Sequence, residues 1–279
     1  MPSALSKITR TVQKQCTLKI SVQIEGRGVH TGQPCRVVIS PSESNSGFCF
    51  RRQGVKIPAL AKYITKTSGA MTLTHEKISI LTTEHLLAAL VGLGYHHANI
   101  DVSGPELPIL DGSSLPWVRL LRKAGIKESH LPVLTWKLNQ TLVFRNQHSF
   151  ARLTPSEQTI ISCHISLGQQ TQFAEFNLQK NLFETQIAPA RTYVQQSIIN
   201  QMIAKGLLKG AEITSGILLD QHKPINTDFR LPNECARHKI LDALGDFALL
   251  GAPFVARIEL WNNTHDFHGK LIDKISRLL

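Results

Sequence analysis

The sequence predicts an α+β protein made of two layers that repeat one plan, with antiparallel sheets packed against helices that are sandwiched between the sheets. Two observations support this prediction. Segments of alternating apolar and polar residues precede each of two strongly apolar helices, and another strand follows each helix. The two helices also resemble each other, because EHLLAALVGLG (84–94) and RHKILDALGDFALLG (237–251) each have a histidine near the start and a glycine at the end.

The length and composition of the chain fit two domains. The chain has 279 residues, of which 42% are hydrophobic, and this is enough to bury a sizeable core. The polar segment KESHLPV (127–133) is the natural boundary. We therefore predict an N-terminal α+β domain over residues 1–128 and a C-terminal α+β domain over residues 129–279.

The first domain is expected to begin with strands and to end with a helix. Thr82 or Thr83 can cap its apolar helix, Glu84 suits the positive end of the helix dipole, and Gly92 or Gly94 can end the helix. In chain order the predicted elements are the strands TLKISVQI (17–24), CRVVISP (35–41) and GFCFRR (47–52), the helix 82–94, the strand ANIDVSG (98–104), the turns of PELPILDGSS (105–114) and the helix LPWVRLLRKAGI (115–126).

The second domain repeats this order. A helix from about Tyr193 to Lys205 is predicted to stop at Gly206, and two further helices cover residues 233–251 and 265–279. The predicted strands are TLVFRN (141–146), FARLTP (150–155), TIISCHISL (159–167), QFAEFNL (172–178), SGILLD (215–220) and PFVARIELW (253–261).

The charge and cysteine content narrow the class of protein. A net charge of +11 indicates an anionic partner, but only 6% of residues are aromatic and they follow no RNA-binding pattern, so we expect no nucleic acid. The five cysteines form no CxxC pair, which favours a reducing compartment. No apolar run reaches the roughly 18 residues of a membrane span. We predict a cytoplasmic protein of a Gram-negative-type bacterium; the first 24 residues lack acids, so organelle targeting is the alternative.

Two apolar helices carry the candidate metal ligands. His238 and Asp242 are four residues apart and therefore share one helix face. His85, at the matching end of the other helix, is the obvious third ligand, and two ligands from one helix with a third from elsewhere is the layout of catalytic zinc. The simpler alternative is a surface ion pair on one helix and a capped, satisfied core histidine on the other.

Further residues could complete a hydrolytic site around such a metal. Glu84 points about 100° away from His85 on the helix, so it can take a proton from bound water rather than bind the metal. His265 follows the last predicted strand, and Asp246 lies one turn beyond Asp242. A carboxylate beside an imidazole favours imidazolium, the form that a general acid needs. Taken alone, His265 would be a solvated loop histidine.

Several motifs, in this order and spacing, resemble the UDP-3-O-acyl-N-acetylglucosamine deacetylases, the zinc amidases of lipid A synthesis. The resemblance covers almost the whole chain from about Cys16. The motifs are GRGVHTG (26–32), TTEHLLAAL (82–90), PELPILDGSS (105–114), ARTY (190–193), RHKILDALGD (237–246) and the loop at His265.

The resemblance implies a catalytic set and a substrate. It assigns roles as follows: His85, His238 and Asp242 as zinc ligands, Glu84 as general base, His265 with Asp246 as the cationic acid, Thr192 as a group that polarises the amide carbonyl, Lys239 as a contact of the substrate diphosphate, and Tyr193 with Leu208 in a hydrophobic passage for the acyl chain. His30 falls on a family motif near the site. The family's two stacked α+β layers, with the active site between them, agree with the predicted repeat.

Some positions depart from the family pattern. Leu167 stands near the position of an aromatic residue that stacks on uracil, and residues 210–219 lack the usual Gly-Gly-Ser pattern. Thr264 replaces a usual glycine, and His268 stands where asparagine is common. A deacetylase of another acylated amino sugar and a non-catalytic anion-binding scaffold are therefore the alternatives. The ion is expected to be Zn²⁺, with Fe²⁺ possible. We also expect a monomer with possible peripheral contact with the inner membrane surface.

Overall fold

The computed structural model describes residues 5–65, 69–180 and 182–278. Within these ranges the chain forms eighteen strands and six α-helices. The strands are β1 (Leu5–Leu18), β2 (Val22–Arg27), β3 (Pro34–Ser40), β4 (Phe48–Arg52), β5 (Val55–Pro58), β6 (Thr72–His75), β7 (Ile78–Leu81), β8 (Ala98–Val102), β9 (Ile126–Leu138), β10 (Leu142–Arg145), β11 (Phe150–Thr154), β12 (Ile160–Leu167), β13 (Gln170–Asn177), β14 (Tyr193–Gln195), β15 (Ile217–Asp220), β16 (Lys223–Pro224), β17 (Phe254–Val255) and β18 (Arg257–Trp261).

The helices occur between the strands in the order that the repeat predicts. They are α1 (Glu84–Gly92), α2 (Leu115–Ala124), α3 (Phe183–Gln186), α4 (Ile199–Ala204), α5 (Glu234–Phe247) and α6 (His265–Ser276), with short 3₁₀ turns at Ala61–Tyr63, Leu178–Lys180, Gln196–Ile198 and Ala248–Leu250. Residue 279, the end of the predicted last helix, lies outside the described residues.

Two five-stranded sheets share one topology. The strand orders are β2-β3-β8-β4-β5 and β10-β11-β18-β12-β13, so corresponding strands of the two halves occupy corresponding places. In both sheets the last strand, β8 or β18, is inserted between the second and third strands of its unit. The predicted α+β fold and its internal repeat are confirmed.

Each sheet is mixed rather than purely antiparallel. The pairs β4–β8 and β12–β18 are parallel, while the other neighbours within these two sheets run antiparallel. The parallel pairs have a simple cause, because α1 precedes β8 and α5 precedes β18. A chain that crosses back through a helix can return in the same direction, which a tight hairpin cannot do.

The central helices α1 and α5 pack against each other, and α5 also lies on β12 and β13. The first seven residues of α1 and twelve of the fourteen residues of α5 are buried. Gly245 permits this close approach, because a methyl group at that position would overlap the carbonyl oxygen of Glu84. The contact between the helices brings the candidate ligands of the two halves together.

Several predicted elements differ from the structure. Residues 17–24 do not form one strand, because β1 ends at Leu18 and β2 begins at Val22, and residues 253–261 are divided between β17 and β18. Residues 193–205 do not form one helix: Tyr193–Gln195 is strand β14, paired in parallel with β15, and only Ile199–Ala204 is helical. Pairing with a neighbouring strand overrides the weak helix propensity of Tyr193 and Val194. The predicted boundary at 127–133 lies inside β9, which pairs with β1. The division into two domains stays a prediction.

None of the described helices has both the length and the apolar character needed to cross a bilayer.

Candidate active site

Three predicted ligands converge between α1 and α5. His238 Nε2 lies 3.3 Å from Asp242 Oδ1, and His85 Nε2 lies 3.7 Å from the same oxygen. The two imidazole rings are nearly perpendicular, with centroids 5.1 Å apart. All three side chains are buried. Two features of the sequence, the spacing of four residues on α5 and the repeat of the helices, therefore correctly indicated which side chains lie close together.

Hydrogen bonds orient the ring of His238 and hold the backbone of His85. His238 Nδ1 lies 3.1 Å from the carbonyl oxygen of Ala190, so it is the protonated nitrogen, and the lone pair of Nε2 points at Asp242. Burial lowers the pKa of His238 to about 3, despite the opposing charge of Asp242, which keeps the ring neutral. Ser114 Oγ donates to the carbonyl of His85 at 2.7 Å and fixes the first turn of α1.

The residues present fit a divalent metal ion. Asp242 Oδ1 is buried and accepts no hydrogen bond from any described residue, which is costly unless a cation occupies the space beside it. Ligand bonds of about 2.0–2.2 Å at tetrahedral angles place neighbouring ligand atoms roughly 3.3–3.6 Å apart. The observed separations of 3.3 and 3.7 Å are close to this range. Two imidazoles and one carboxylate are also a usual donor set of catalytic zinc.

Glu84 lies beside this cluster without being one of its ligands. Only 2% of the residue is exposed, and Oε2 accepts a hydrogen bond from the backbone N–H of Met71 at 3.1 Å. Oε1 lies 3.6 Å from His265 Nε2. Burial raises the pKa of Glu84 above its usual value, although the charges of His265 and His85 oppose this effect. A carboxylate with a raised pKa is a better proton acceptor near neutral pH.

His265 and Asp246 form a hydrogen-bonded pair on the other side of Glu84. His265 Nδ1 lies 2.8 Å from Asp246 Oδ2, and His265 Nε2 lies 3.7 Å from Asp242 Oδ2. Burial opposes protonation of His265, but the carboxylates of Asp246, Glu84 and Asp242 outweigh it and raise the pKa to about 10. His265 is therefore an imidazolium at neutral pH, with its free Nε2–H directed into the cluster.

Comparison with known proteins identifies the family to which the chain belongs. A family model described as UDP-3-O-acyl N-acetylglycosamine deacetylase matches residues 15–277 of the chain. The chain belongs to this family. The resemblance inferred from the sequence motifs is confirmed.

Curated members of the family match along nearly the whole chain. Proteins named UDP-3-O-acyl-N-acetylglucosamine deacetylase from Myxococcus xanthus and Helicobacter pylori (strain J99) are 32% and 33% identical to it. The alignments cover 94% of this chain and 86% and 91% of those proteins. A Legionella pneumophila (strain Corby) protein of the same name is 32% identical over 94% of this chain and 90% of its own length.

The residues to which the family resemblance assigns contacts with the substrate lie on different elements: Lys239 on α5, Thr192 and Tyr193 at the start of β14, and Leu208 after α4. Lys239 Nζ donates to Asp242 Oδ2 at 2.9 Å and lies 5.8 Å from the centroid of the Tyr193 ring. The Tyr193 ring packs edge-on against His238, with centroids 6.4 Å apart. The backbone of Thr192 is held by Gly112, whose carbonyl accepts from Thr192 N at 2.7 Å. Leu208 lies in the turn after α4, with a positive φ of 61°, and its role stays a prediction.

His268 also contacts Asp246, a role that the sequence did not indicate. His268 Nδ1 lies 2.7 Å from the same Oδ2 atom that His265 contacts, and His268 Nε2 lies 2.9 Å from Asn263 Nδ2. Asp246 thus accepts from two imidazoles that belong to one helix, α6. The only signal in the sequence was that His268 departs from the asparagine common in the family.

Glu106 was also missed, although it lies in the motif PELPILDGSS. Its carboxylate is fully buried and accepts from His30 N at 3.0 Å, Thr31 N at 2.7 Å and Thr31 Oγ1 at 2.8 Å. It also accepts from Thr82 Oγ1 at 3.0 Å, immediately before α1. Gly28 is required beside it, because a methyl group there would overlap the carboxylate. Glu106 therefore ties the loop that carries His30 to the start of the helix that carries Glu84.

Proposed function

We propose that this chain is a metal-dependent deacetylase that hydrolyses the acetamide of UDP-3-O-acyl-N-acetylglucosamine, the committed step of lipid A synthesis. The proposal rests on one observation above all. Three buried ligand atoms with free lone pairs meet beside a carboxylate with a raised pKa and an imidazolium. The family membership and the names of the relatives support the choice of substrate.

Each residue has a distinct proposed task. His85, His238 and Asp242 hold the ion, which when bound polarises the amide carbonyl and makes water more acidic. Glu84 accepts the proton of the attacking water, which its buried, raised-pKa carboxylate suits. His265 donates a proton to the leaving amine, and Asp246 keeps it charged until then. Thr192 would add a further task, because it would polarise the carbonyl oxygen of the acetamide.

The finer features of the proposal concern the ion and the surroundings. We propose Zn²⁺ as the ion, with Fe²⁺ as the alternative, since two histidines and one aspartate can hold either. Lys239 would contact the substrate diphosphate, and Tyr193 and Leu208 the acyl chain. The cytoplasmic location, the monomeric state and peripheral contact with the inner membrane surface also stay predictions.

A direct test combines an assay with elemental analysis. The purified protein should contain one equivalent of metal and release acetate from UDP-3-O-acyl-N-acetylglucosamine, and a chelator should abolish turnover. A protein that holds metal but deacetylates only a different acylated amino sugar would overturn the substrate. A protein without bound metal at any point in purification, or active in excess chelator, would overturn the mechanism.

A further inference from the structure

The motif ARTY (190–193) contains one charged residue, Arg191, to which the proposed mechanism gives no task. Only 5% of Arg191 is exposed, and its guanidinium forms a buried ion pair with Glu234, the first residue of α5. Arg191 Nε donates to Glu234 Oε1 at 2.8 Å, and Nη2 donates to Oε2 at 3.2 Å. Such a pair gains little net stability, because the cost of taking two charges out of water offsets their attraction. Its contacts show which parts of the chain it joins.

Three segments of the chain meet at this ion pair. Glu234 Oε1 also accepts from Arg191 N at 3.0 Å, and Oε2 accepts from Arg230 N at 2.5 Å. Arg191 Nη1 donates to Thr227 Oγ1 at 3.1 Å, and Nη2 donates to the carbonyl of Asp228 at 2.6 Å. Each carboxylate oxygen therefore accepts two hydrogen bonds, and the planar guanidinium is held in one orientation. A lysine ammonium, which is a point charge, cannot form the same two parallel bonds.

The ion pair holds segment 190–192 against α5 one helix turn before the metal ligand His238. Glu234 and His238 are four residues apart, so they share one face of the helix. Arg191 pairs with the first of them, and the carbonyl oxygen of its neighbour Ala190 lies 3.1 Å from His238 Nδ1. The segment is therefore fixed to α5 at two points.

The contact at Ala190 decides which nitrogen of His238 is available to a metal ion. A neutral imidazole carries its proton on one nitrogen only. With the proton on Nδ1, the lone pair of Nε2 faces Asp242 Oδ1, which lies 3.3 Å away. A displacement of the segment by about 0.5 Å away from the ring would lengthen the contact to roughly 3.6 Å, and the hydrogen bond would be lost.

We propose that Arg191 and Glu234 are positioning residues, whose ion pair fixes segment 190–192 on α5 and so presents His238 Nε2 to the metal. The same segment carries Thr192, which would polarise the carbonyl oxygen of the acetamide. The kinetic consequences rest on the proposed function. The tautomer of His238 does not, because it can be measured in the metal-free chain.

The test variant is Arg191→Lys, which keeps the cation and removes the two parallel bonds. Arg152→Lys is the matched control, because Arg152 uses the same two atoms, Nε and Nη2, to pair with Glu259 on the second sheet. Ile39→Val, in the buried core of the first sheet, is the control for a loss of stability. The ¹⁵N shifts of the ring nitrogens in the metal-free full chain report the tautomer of His238, and a titration with Zn²⁺ measures the affinity for metal.

The expected changes concern the tautomer, the metal affinity and the turnover. Wild type and both controls should show His238 protonated on Nδ1, whereas Arg191→Lys should show a mixture with the Nε2–H form. Substitutions around a metal ligand typically cost 10- to 100-fold in affinity, so the Kd of Arg191→Lys for Zn²⁺ should rise about tenfold. At saturating metal its kcat should fall while KM stays near wild type, because Thr192 moves with the segment.

Two results would overturn the proposal. If Arg191→Lys kept the Nδ1–H tautomer and the wild-type Kd, the ion pair would have a structural role only. If Ile39→Val lost as much metal affinity as Arg191→Lys, the loss would follow stability rather than position. Glu234→Asp, which keeps the charge but shortens the side chain, gives the same comparison if Arg191→Lys does not fold. A chain without deacetylase activity would overturn the proposed function, whereas the tautomers would still decide this proposal.

Discussion

Asp246 uses one carboxylate oxygen to hold two imidazoles. Oδ2 lies 2.8 Å from His265 Nδ1 and 2.7 Å from His268 Nδ1, and Asn263 approaches the far side of the second ring. The hydrogen bonds and charges of the two histidines overcome the effect of burial and lower the pKa of Asp246. An ionised Asp246 is what keeps His265 charged. His268 therefore acts on the chemistry only through Asp246.

Two substitutions of His268 should distinguish the effect of its hydrogen bond on turnover from the effect of its size. His268→Asn retains an N–H donor and should keep turnover within about tenfold of wild type, whereas His268→Phe removes the donor. Loss of a hydrogen bond to a charged group costs about 1.5–3 kcal/mol, so the Phe variant should lose roughly 10- to 100-fold in kcat. Steady-state kinetics on metal-loaded protein measures this, with the exposed His148→Asn as control. Equal kcat in the two His268 variants would contradict this role.

At the scale of elements, the site depends on how closely α1 and α5 approach. Gly245 lies against the backbone of Glu84, next to the helix turn that carries Asp242 and Asp246. A glycine inside a helix costs about 1 kcal/mol relative to alanine. The chain accepts this cost because any side chain at this position would push the two helices, and with them the ligands, apart.

Gly245→Ala should therefore weaken metal binding and stability together. We expect a net loss of about 1–3 kcal/mol in the free energy of unfolding, because overlap outweighs the gain in helix propensity. Thermal denaturation and a metal titration provide the measurements. Gly269→Ala, in α6, is the matched control, since its nearest neighbour would lie at an ordinary 3.4 Å from the added methyl group. If both variants were equally stable and bound metal alike, the close approach would not matter.

His96 links the end of β1 to the turn after α1 and should make stability depend on pH. Its Nδ1 accepts a hydrogen bond from Cys16 N at 3.0 Å, which requires a neutral ring. Burial, with a smaller contribution from His97, lowers the pKa of His96 to about 4 from the usual 6.5. The unfolded chain therefore binds the extra proton more readily between these values. This contribution to stability is complete above pH 6.5 and is lost as the pH falls towards 4.

The variant His96→Asn keeps an acceptor but cannot take up the proton. The difference in Tm between wild type and this variant should therefore shift in favour of the variant as the pH falls from 7 to 5. Circular dichroism at a series of pH values measures the difference. A difference in Tm that is constant across this range would show that His96 does not titrate on unfolding.

At the scale of the whole molecule, the site joins the two halves of the repeat. His85 comes from the first half, while His238 and Asp242 come from the second, so a bound ion would cross-link the repeat units. A ligand present at about 1,000 times its Kd adds roughly 4 kcal/mol to stability. Removal of the ion with a chelator should then lower Tm by roughly 5–15 °C. Differential scanning calorimetry tests this, and Asp242→Asn should show no such shift; an equal shift in that variant would contradict the assignment.

The sequence predicted those parts of the molecule that depend on local spacing or on the repeat. His238 and Asp242 were identified by their separation on a helix, and His85 by its matching place in the other half. Contacts between distant segments were not predictable in this way. The pairing of Tyr193–Gln195 with β15, the parallel strand in each sheet and the buried carboxylate of Glu106 all depend on segments that meet only after folding. The sequence shows a glycine at position 245, but it does not show the close contact with the backbone of Glu84 that requires a glycine there.

Glu84→Gln tests most directly whether Glu84 activates water beside an ion held by its neighbour His85. The amide has the same shape and can still accept the hydrogen bond from Met71, but it cannot accept a proton. The measurement is turnover and metal content on one preparation. We predict one equivalent of metal, as in wild type, and a loss of about 10²- to 10⁴-fold in kcat. Wild-type turnover in this variant would show that Glu84 is not the base.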